Sequence, residues 1–456
     1  MAEVMEYYST NHKVPNVTLD KALLQGQAAD KGLFLPELFP PLTGEELLSL
    51  QDKSYPEIAY AVLSRFTQGI FTDTDLLSMC HSAYNYSIPL ERVVGRRFVM
   101  RLDQGPTASF KDFAARMMAR WMGHLMQNES GELVILTATS GDTGSAVAHA
   151  YHGIGRIKIV VLFPIKEVSD RQRKQMTTLG GNVRIIGIDG KFDEGQAMVK
   201  RAFADPDLSG IHLTSANSIN IGRLLPQSVY YVYAYLKLAD VAKGEKVIFS
   251  IPSGNFGDMM GGIIAKQMGL PIHKFVIATN ANDEVPRFIK SGEYQPIIPS
   301  KVCISNAMNV GHPSNLARLI DIYGGHMDER GNLLKKPDMN RLRHDLFAVS
   351  VDDKLTRETI KEAWETHHLL LEPHGATGWA GLKAYLDQND ADNNMLCISL
   401  ETAHPAKFPE EIQNNINIIP EIPPSLAGLE NKPEDYPTMP ADYDYFRNYL
   451  LEHYSH

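Results

Sequence analysis

The segment KVIFSIPSGNFGD, residues 246–258, contains one complete example of the unit that builds this protein. It starts with a short apolar run rich in β-branched residues, which predicts a buried strand, and it continues into a glycine-rich loop. Residues 258–268 then predict a helix that ends before Gly269. A strand, a loop and a helix in this order form the repeating unit of parallel α/β sheets.

Seven further apolar runs resemble this strand, and helix-length stretches with apolar residues at i, i+3 and i+4 lie between most of them. The seven runs are FVMRL (98–102), LVILTA (133–138), IKIVVLF (157–163), VRIIGID (183–189), KFVIATN (274–280), LFAVSV (346–351) and MLCISL (395–400). The sequence therefore predicts an α/β protein with open, twisted sheets that carry helices on both faces.

Composition and charge indicate the class of protein. The chain has 456 residues, 44% of them hydrophobic and 21% charged, which is typical of a globular protein of about two or three domains. Its net charge of -10 provides no positive field that would attract nucleic acid or an anionic membrane. The three cysteines have no CxxC spacing and no histidines have HExxH spacing, so we expect no disulfide framework and no metal site. Without a secretory leader pattern or an apolar run of ~18 residues, we expect a cytoplasmic enzyme that binds neither nucleic acid nor membranes.

The chain divides into three predicted parts. Residues 1–95 lack the alternation of strands and helices and are predicted to form a mostly helical N-terminal region. Residues 96–215 are assigned to a smaller α/β domain and residues 216–456 to a larger one. The stretch from Pro420 is rich in Pro, Glu and Asp and precedes a last predicted helix, so we expect this tail to cap the body of the protein.

Three loops combine glycines, hydroxyl groups and amides at the start of a predicted helix. They are TSGDTG (139–144), SGNFGD (253–258) and the loop within HLTSANSINIGR (212–223), where Asn217, Asn220 and Arg223 are spaced three residues apart. Backbone NH groups at a helix start bind anions, and an arginine adds a guanidinium suited to a phosphate. The same residue types are also the usual helix caps and turn formers, so each loop alone stays open to that interpretation. Neither glycine loop has the Walker pattern or a GxGxxG fingerprint, so nucleotide binding is poorly supported.

The helix that follows FVMRL carries an unusual lysine. Ser109 and Asp112 resemble a capping box, but Lys111 lies in the first turn, where a cation opposes the helix dipole by roughly 0.3–1 kcal/mol. One interpretation is a solvated lysine. The other is a lysine that is uncharged or bonded as an imine, because the positive helix end and the flanking Phe110 and Phe113 would lower its pKa from about 10.4.

Two motifs near the C-terminus complete the set, EPHGATGWAGLKAY (372–385) and LETAHPAKF (400–408). Thr402 follows the strand MLCISL, and Lys407 a turn later can offer a positive charge. His374 and His404 are interpreted as loop residues that form hydrogen bonds rather than as catalysts.

Taken in order, these motifs resemble those of the threonine synthases, and in particular the longer branch found in bacteria and fungi. The resemblance covers nearly the whole chain and rests on GLFLPE (32–37), SFKDF, LTATSGDTG, MTTLGGN (176–182), SANSINIGR, PSGNFGD, ATNANDEVPRF (278–288), SNAMNV (305–310), EPHGATG and TAHPAKF. It implies a fold-type II pyridoxal 5'-phosphate (PLP) enzyme similar to the tryptophan synthase β subunit, with two mostly parallel sheets.

The resemblance also implies roles for individual residues. Lys111 would hold PLP as an internal aldimine, Thr402 would face the pyridine nitrogen, and Asp142 would lie near the 3'-oxygen. The remaining cofactor-binding residues would be those of the phosphate loop, Gly254, Asn255, Phe256, Gly257 and Asp258. The substrate carboxylate would bind Thr139, Ser140, Gly141, Asp142 and Thr143, and the substrate phosphate would bind Asn217, Ser218, Arg223 and Asn255.

The implied reaction converts O-phospho-L-homoserine and water into L-threonine and phosphate, the last step of threonine biosynthesis. PLP and this substrate together bring three anionic groups, and three anion-binding loops are present. One alternative is a PLP-dependent phospho-lyase or dehydratase of the same fold that forms 2-oxobutyrate. A second is a protein that binds phosphorylated metabolites without catalysis. The sequence leaves monomer and dimer both open.

Overall fold

The computed structural model describes residues 4–139 and 141–455. The strands are β1 (Glu6–Ser9), β2 (Val17–Thr18), β3 (Phe34–Pro36), β4 (Leu90–Val94), β5 (Arg97–Arg101), β6 (Leu133–Ala138), β7 (Ile157–Pro164), β8 (Val183–Asp189), β9 (Leu213–Ser215), β10 (Val247–Pro252), β11 (Ile272–Thr279), β12 (His326–Met327), β13 (Leu333–Lys335), β14 (Leu346–Ser350), β15 (Leu396–Glu401) and β16 (Thr438–Pro440). The helices are α1 (Leu19–Gln25), α2 (Gly44–Leu50), α3 (Tyr55–Leu63), α4 (Asp73–Ala83), α5 (Lys111–Leu125), α6 (Asp142–Tyr151), α7 (Asp170–Thr177), α8 (Phe192–Phe203), α9 (Ser228–Leu238), α10 (Gly257–Gln267), α11 (Glu284–Ser291), α12 (Leu316–Ile322), α13 (Met339–Asp345), α14 (Asp353–His367), α15 (Pro373–Gln388), α16 (Pro409–Ile416) and α17 (Tyr443–Tyr454). All eight strands predicted from apolar runs are confirmed.

The larger of the two main sheets has six strands in the order β14-β11-β10-β15-β5-β4. Its strands are parallel except for β4, which pairs antiparallel with β5 at one edge. Because successive side chains of a strand point to opposite faces, β10 contributes to two cores. Ile248 packs in a cluster with Trp379 and Leu382 of α15, whereas Phe249 packs against Tyr231 of α9 with 4.9 Å between the ring centroids. Helices therefore cover both faces, as the sequence predicts.

The smaller main sheet has five strands in the order β16-β8-β7-β6-β9, and all of its strand pairs are parallel. On one face Leu136 packs in a cluster with Val199 of α8 and Phe446 of α17. On the other face Ile135 packs in the central cluster with Val147 of α6. The C-terminal tail thus adds the edge strand β16 and covers part of one face with α17, which confirms that it caps the body.

Strands from segments that are assigned to different domains pair with each other in both main sheets. Strand β5 lies in the stretch assigned to the smaller domain, yet it pairs with β15 in the six-stranded sheet. Strand β16 lies in the stretch assigned to the larger domain, yet it pairs with β8 in the five-stranded sheet. The order of segments along the chain does not reveal such long-range pairing. The boundaries at residues 95 and 215 stay a prediction.

The N-terminal region contains α1 to α4, in line with its predicted helical character. It also forms a three-stranded antiparallel sheet in the order β2-β1-β3, whose strands of two to four residues are too short to produce a recognisable pattern in the sequence. No helix in the part of the chain that the structure describes is both long and apolar enough to cross a membrane.

Candidate active site

Lys111 lies at the carboxyl edge of the six-stranded sheet, where two neighbouring parallel strands end. Strand β5 leads to its loop and strand β15 leads to Thr402, and the two loops bind each other through their backbones. The Phe110 amide donates to the Thr402 carbonyl at 2.9 Å, and the His404 amide donates to the Ala108 carbonyl at 3.0 Å. Ligands of open α/β sheets bind at this edge. The pairing of β5 with β15 therefore holds the predicted lysine beside the predicted threonine.

The surroundings of Lys111 contradict the interpretation of a solvated lysine. Its side chain is 13% exposed, and its Nζ lies 3.8 Å from Oδ2 of Asp142 and 4.7 Å from the centroid of the Phe110 ring. Burial lowers the pKa of Lys111, the Asp142 carboxylate opposes this shift, and the positive charges of Lys407 and Arg223 reinforce it. The structure thus provides a lysine with a lowered pKa, whose neutral, nucleophilic form is easier to reach than that of a solvated lysine.

The predicted capping box of Ser109 and Asp112 is wrong. Helix α5 begins at Lys111, after Phe110 in a helical conformation with φ −56° and ψ −21°, and no side chain caps it. The Asp112 carboxylate instead accepts from the Thr107 amide at 2.8 Å and from its hydroxyl at 2.7 Å. The Ser109 Oγ is buried without a hydrogen-bond partner among the described residues. Asp112 therefore closes the turn that leads to Lys111.

Two backbone amides of the loop between β6 and α6 form hydrogen bonds within the loop itself. The Thr139 hydroxyl accepts from the amides of Gly141 at 3.0 Å and Gly144 at 2.8 Å, so Thr139 shapes the loop. Gly141 has φ 134°, a backbone conformation that residues with a side chain rarely adopt. Thr143 is partly exposed at the start of α6, and Ser140 lies outside the described residues.

Asp142 is the first residue of α6 and is almost completely buried. Its Oδ1 lies 2.6 Å from Nζ of Lys407 and accepts from Nε2 of Gln172 at 3.0 Å. Burial alone would raise the pKa of Asp142, but Lys407 and then Lys111 outweigh it and keep the net pKa below the usual range. Asp142 is therefore an ionised carboxylate shared by two lysines.

The loop between β10 and α10 is a tight turn that leads directly into the helix. Phe256, the residue before the helix, has φ 63°, and the helix begins at Gly257. A Cβ atom at Gly254 would lie 2.8 Å from Cα of Met308, so this position requires glycine. Asp258 is buried, and burial raises its pKa to about 7 although Lys111 is close enough to oppose the shift.

The loop within residues 212–223 contacts the loop of residues 253–258 through side chains. Nδ2 of Asn255 donates to Oγ of Ser218 at 2.7 Å. Arg223 is 3% exposed, and one of its guanidinium NH groups donates to the Ala216 carbonyl at 2.6 Å. Among the described residues, Nε of Arg223 and Oδ1 of Asn217 are buried without hydrogen-bond partners. Burial lowers the pKa of Arg223 to about 10, which leaves it charged at neutral pH.

Asn220 differs from its neighbours in this loop. Its Nδ2 donates to the carbonyls of Leu23 at 2.8 Å and Ser215 at 3.0 Å, and its Oδ1 accepts from the Gly222 amide at 3.0 Å. It therefore stabilises the loop. The segment that follows forms only a short 3-10 helix, Ile221–Arg223.

Arg318 supports the loop that contains Ser218, and the sequence alone does not point to it. It is completely buried and donates to the carbonyls of Phe34 at 2.9 Å, Ser218 at 3.0 Å and Ile219 at 2.6 Å. It also donates to the Asn315 side chain at 2.6 Å. Arg318 fixes the backbone around Ser218, and no local pattern in the sequence connects it to that loop.

Both histidines form hydrogen bonds as predicted, although His374 lies in the first turn of α15 and not in a loop. That neither acts as a catalyst stays a prediction. His374 Nδ1 lies 2.5 Å from Oε2 of Glu372, and its Nε2 accepts from the Ala307 amide at 3.1 Å. His404 Nδ1 accepts from the Ala406 amide at 3.1 Å. Both rings therefore hold loops in place, and burial lowers the pKa of His404 to about 4.

Comparison with known proteins assigns this arrangement to a class. Residues 87–400 match the sequence model of the pyridoxal-phosphate dependent enzymes. Together with the two largely parallel sheets and the largely buried Lys111, this match defines a PLP-dependent enzyme of fold type II. Residues 6–84 match the threonine synthase N terminus and residues 376–450 the C-terminal region of threonine synthase.

The chain belongs to the threonine synthase family. It is 39% identical to the threonine synthase of Haemophilus influenzae over 450 residues, covering 98% of this chain and 100% of the relative. The threonine synthase of Escherichia coli is 35% identical over 450 residues, with 98% and 100% covered. The crystal structure of PLP-bound threonine synthase from Brucella melitensis has a TM-score of 0.91 at 34% identity, covering 99% of this chain and 100% of that one.

These comparisons do not favour the alternative of a dehydratase. A threonine deaminase from Solanum lycopersicum is 16% identical with a TM-score of 0.53, so its likeness concerns the fold alone. The threonine synthase matches cover the chain from its N-terminal region to its C-terminal tail. A non-catalytic protein is likewise not favoured, since the chain is a PLP-dependent lyase of this family.

Proposed function

We propose that this chain converts O-phospho-L-homoserine and water into L-threonine and phosphate, with PLP held on Lys111. One observation carries the proposal: the buried amine of Lys111 lies 3.8 Å from the Asp142 carboxylate at the strand edge. Asn255 and Ser218, from the two proposed phosphate-binding loops, lie 2.7 Å apart. An acidic protein can bind a doubly anionic substrate at such local positive sites.

The residues present fit PLP. The turn around Gly254 is closed to a Cβ atom, so its backbone can approach a phosphate closely. We assign the cofactor phosphate to residues 254–257 and the start of α10 at Asp258. Thr402 would face the pyridine nitrogen, and Asp142 would lie near the 3'-oxygen. When bound, the cofactor supplies a ring that accepts electron density from the substrate.

We expect Gly254→Ala to weaken PLP binding by at least about tenfold, equivalent to about 1.4 kcal/mol. The added methyl group would lie 2.8 Å from a backbone atom of Met308, so the phosphate loop would have to move. Equilibrium titration of the apoenzyme with PLP measures the change. Gly155→Ala is the matched control, because its Cβ would meet no atom within 4 Å. Equal PLP affinity of the two variants would exclude residues 254–257 as the phosphate loop.

The chain's own residues then have separable tasks. The neutral amine of Lys111 accepts the Cα proton of the substrate, a proton is next lost from Cβ as phosphate leaves Cγ, and a proton is then returned at Cγ. Arg223, with Asn217, Ser218 and Asn255, holds the phosphate group and stabilises it as the Cγ–O bond breaks. The loop of residues 139–143 holds the substrate carboxylate. Water then adds at Cβ, and a proton returns to Cα, which gives threonine.

We expect Thr402→Asp to lower kcat by about tenfold, ~1.4 kcal/mol, and to change the absorbance of the bound cofactor. A carboxylate opposite the pyridine nitrogen would keep it protonated and make the ring a stronger electron acceptor, which favours side products such as 2-oxobutyrate. Thr402 is 6% exposed, so the carboxylate would be held in place. Thr402→Ser, which keeps the hydroxyl, should retain the wild-type spectrum. An unaltered spectrum and product ratio in Thr402→Asp would remove Thr402 from the ring nitrogen.

The function is tested by the products formed from O-phospho-L-homoserine. We expect threonine and phosphate in equal amounts, measured by chromatography and a phosphate assay. Phosphate accompanied by 2-oxobutyrate would identify the lyase alternative instead. We also propose a cytoplasmic location, supported by three free, buried cysteines among the described residues.

A further inference from the structure

Two lysines share one carboxylate in the candidate active site. Asp142 Oδ1 lies 2.6 Å from Nζ of Lys407, and Asp142 Oδ2 lies 3.8 Å from Nζ of Lys111. The side chain of Lys407 is 0% exposed, whereas that of Lys111 is 13% exposed. Lys407 thus makes the closer ion pair and lies deeper in the protein.

Lys407 is held rigidly in this position. It ends the short 3-10 helix Pro405–Lys407 that follows β15, and its Nζ donates to the Thr107 carbonyl at 3.0 Å. The carbonyl of the preceding Ala406 accepts from Arg171 of α7. Because no part of the Lys407 side chain is exposed, this residue acts on the site through Asp142 and not by touching a substrate.

Four charged groups face Lys111 from the elements packed around it. Asp142 of α6 and Asp258 of α10 favour its protonated form, and Lys407 and Arg223 oppose it. Burial is the largest influence and lowers the pKa of Lys111. The balance depends on Asp142, since an unpaired carboxylate at 3.8 Å would attract a proton to Lys111 strongly.

We propose that Lys407 is a positioning residue that satisfies the charge of Asp142 and thereby leaves the Lys111 amine without its proton. The neutral amine can then react with the aldehyde of the cofactor and accept the substrate's Cα proton. This catalytic consequence rests on the proposed function, but the proton state of Lys111 does not.

The proposal is tested on the full-length apoenzyme by acetylating it with acetic anhydride over a range of pH and measuring Lys111 modification by mass spectrometry. Only the neutral amine reacts, so the midpoint of labelling reports its protonation. In Lys407→Met the carboxylate keeps Lys111 as its only cation, and the midpoint should rise by about one to three pH units. In the holoenzyme the acidic limb of the pH profile of kcat should move upward by the same amount.

Three further variants test whether the charge of Lys407 is what sets the labelling midpoint of Lys111. Lys407→Gln keeps a hydrogen-bond donor without a charge and should raise the midpoint as Lys407→Met does, which also covers the case in which Lys407→Met does not fold. Lys407→Met combined with Asp142→Asn removes both charges and should bring the midpoint back to or below that of the wild type. Lys266→Met is the matched control, since Lys266 forms a partly buried pair with Asp345 at 3.4 Å outside the site.

An unchanged midpoint in the uncharged Lys407 variants would overturn the proposal, as would an equal rise in the double variant. The result is separate from the fate of the proposed function. If the labelling midpoint of Lys111 shifts as expected in the variants while the wild-type enzyme forms no threonine, only the proposed function fails. If threonine is formed and the midpoint does not move, only the role of Lys407 fails.

Discussion

Replacing Lys111 by alanine should abolish the imine absorbance of bound PLP and reduce turnover of O-phospho-L-homoserine by at least about 10³-fold. The variant loses both the amine that holds the cofactor and the base proposed to accept the Cα proton. The fold should persist, because Lys407 still pairs with Asp142 at 2.6 Å. We expect the free energy of unfolding to change by less than about 1 kcal/mol, measured by chemical denaturation.

Borohydride reduction followed by peptide mapping is the sharper measurement for this variant. In the wild type the reduced PLP adduct should be found on Lys111 alone. Lys174→Ala, a change of a partly exposed lysine that donates to the Glu430 carbonyl, should leave the adduct and turnover as they are. An adduct on Lys407 or on any other lysine of Lys111→Ala, together with residual threonine formation, would show that the cofactor lysine is misassigned.

Replacing Arg223 by alanine should reduce kcat/KM by at least about a hundredfold, ~2.7 kcal/mol at about 1.4 kcal/mol per tenfold. Arg223 is buried with Nε unpartnered among the described residues, so a substrate phosphate can receive a charge-assisted hydrogen bond from it. PLP occupancy should be retained, because the cofactor phosphate is assigned to the separate loop around Gly254. Absorbance of the cofactor and steady-state kinetics, measured on the same preparation, compare the two effects.

Two variants control for charge and for structural damage. Arg223→Lys keeps a positive charge but lacks the planar guanidinium, so it should recover only a small part of the activity. Arg343→Ala removes an arginine that also binds backbone carbonyls, those of Ile289 at 2.8 Å and Lys290 at 3.1 Å, at a place outside the site. It should keep wild-type kcat/KM. Loss of PLP in Arg223→Ala would indicate that the two phosphate sites are exchanged.

The sequence predicts the elements of the fold well because their signals are local. The alternation of Ile248 and Phe249 between two cores follows from the geometry of a strand, and each apolar run forms the strand it predicts. The loop SGNFGD is recognisable from its sequence, but the need for glycine at position 254 arises from a contact with Met308, which is distant in the chain. Short strands such as β1 and β2 have too few residues to produce a periodic signal.

The failed capping box shows where local reasoning ends. Ser109 and Asp112 have the spacing of a helix cap, but the Phe110 amide binds the Thr402 carbonyl and Ser109 bridges to Ala403. A partner almost three hundred residues away thus sets the backbone before α5. A spacing rule cannot include that partner, because it considers only residues in sequence.

The amino-acid sequence on its own established the α/β class, the strand-end loops and the unusual position of Lys111, since periodicity and helix polarity act over a few residues. The order of strands in each sheet, the burial of Lys407 against Asp142 and the support of Ser218 by Arg318 came from the folded structure. These features depend on contacts between segments distant in the chain. The strength of a buried charge pair is set by the solvent that packing removes, and no single segment carries that information.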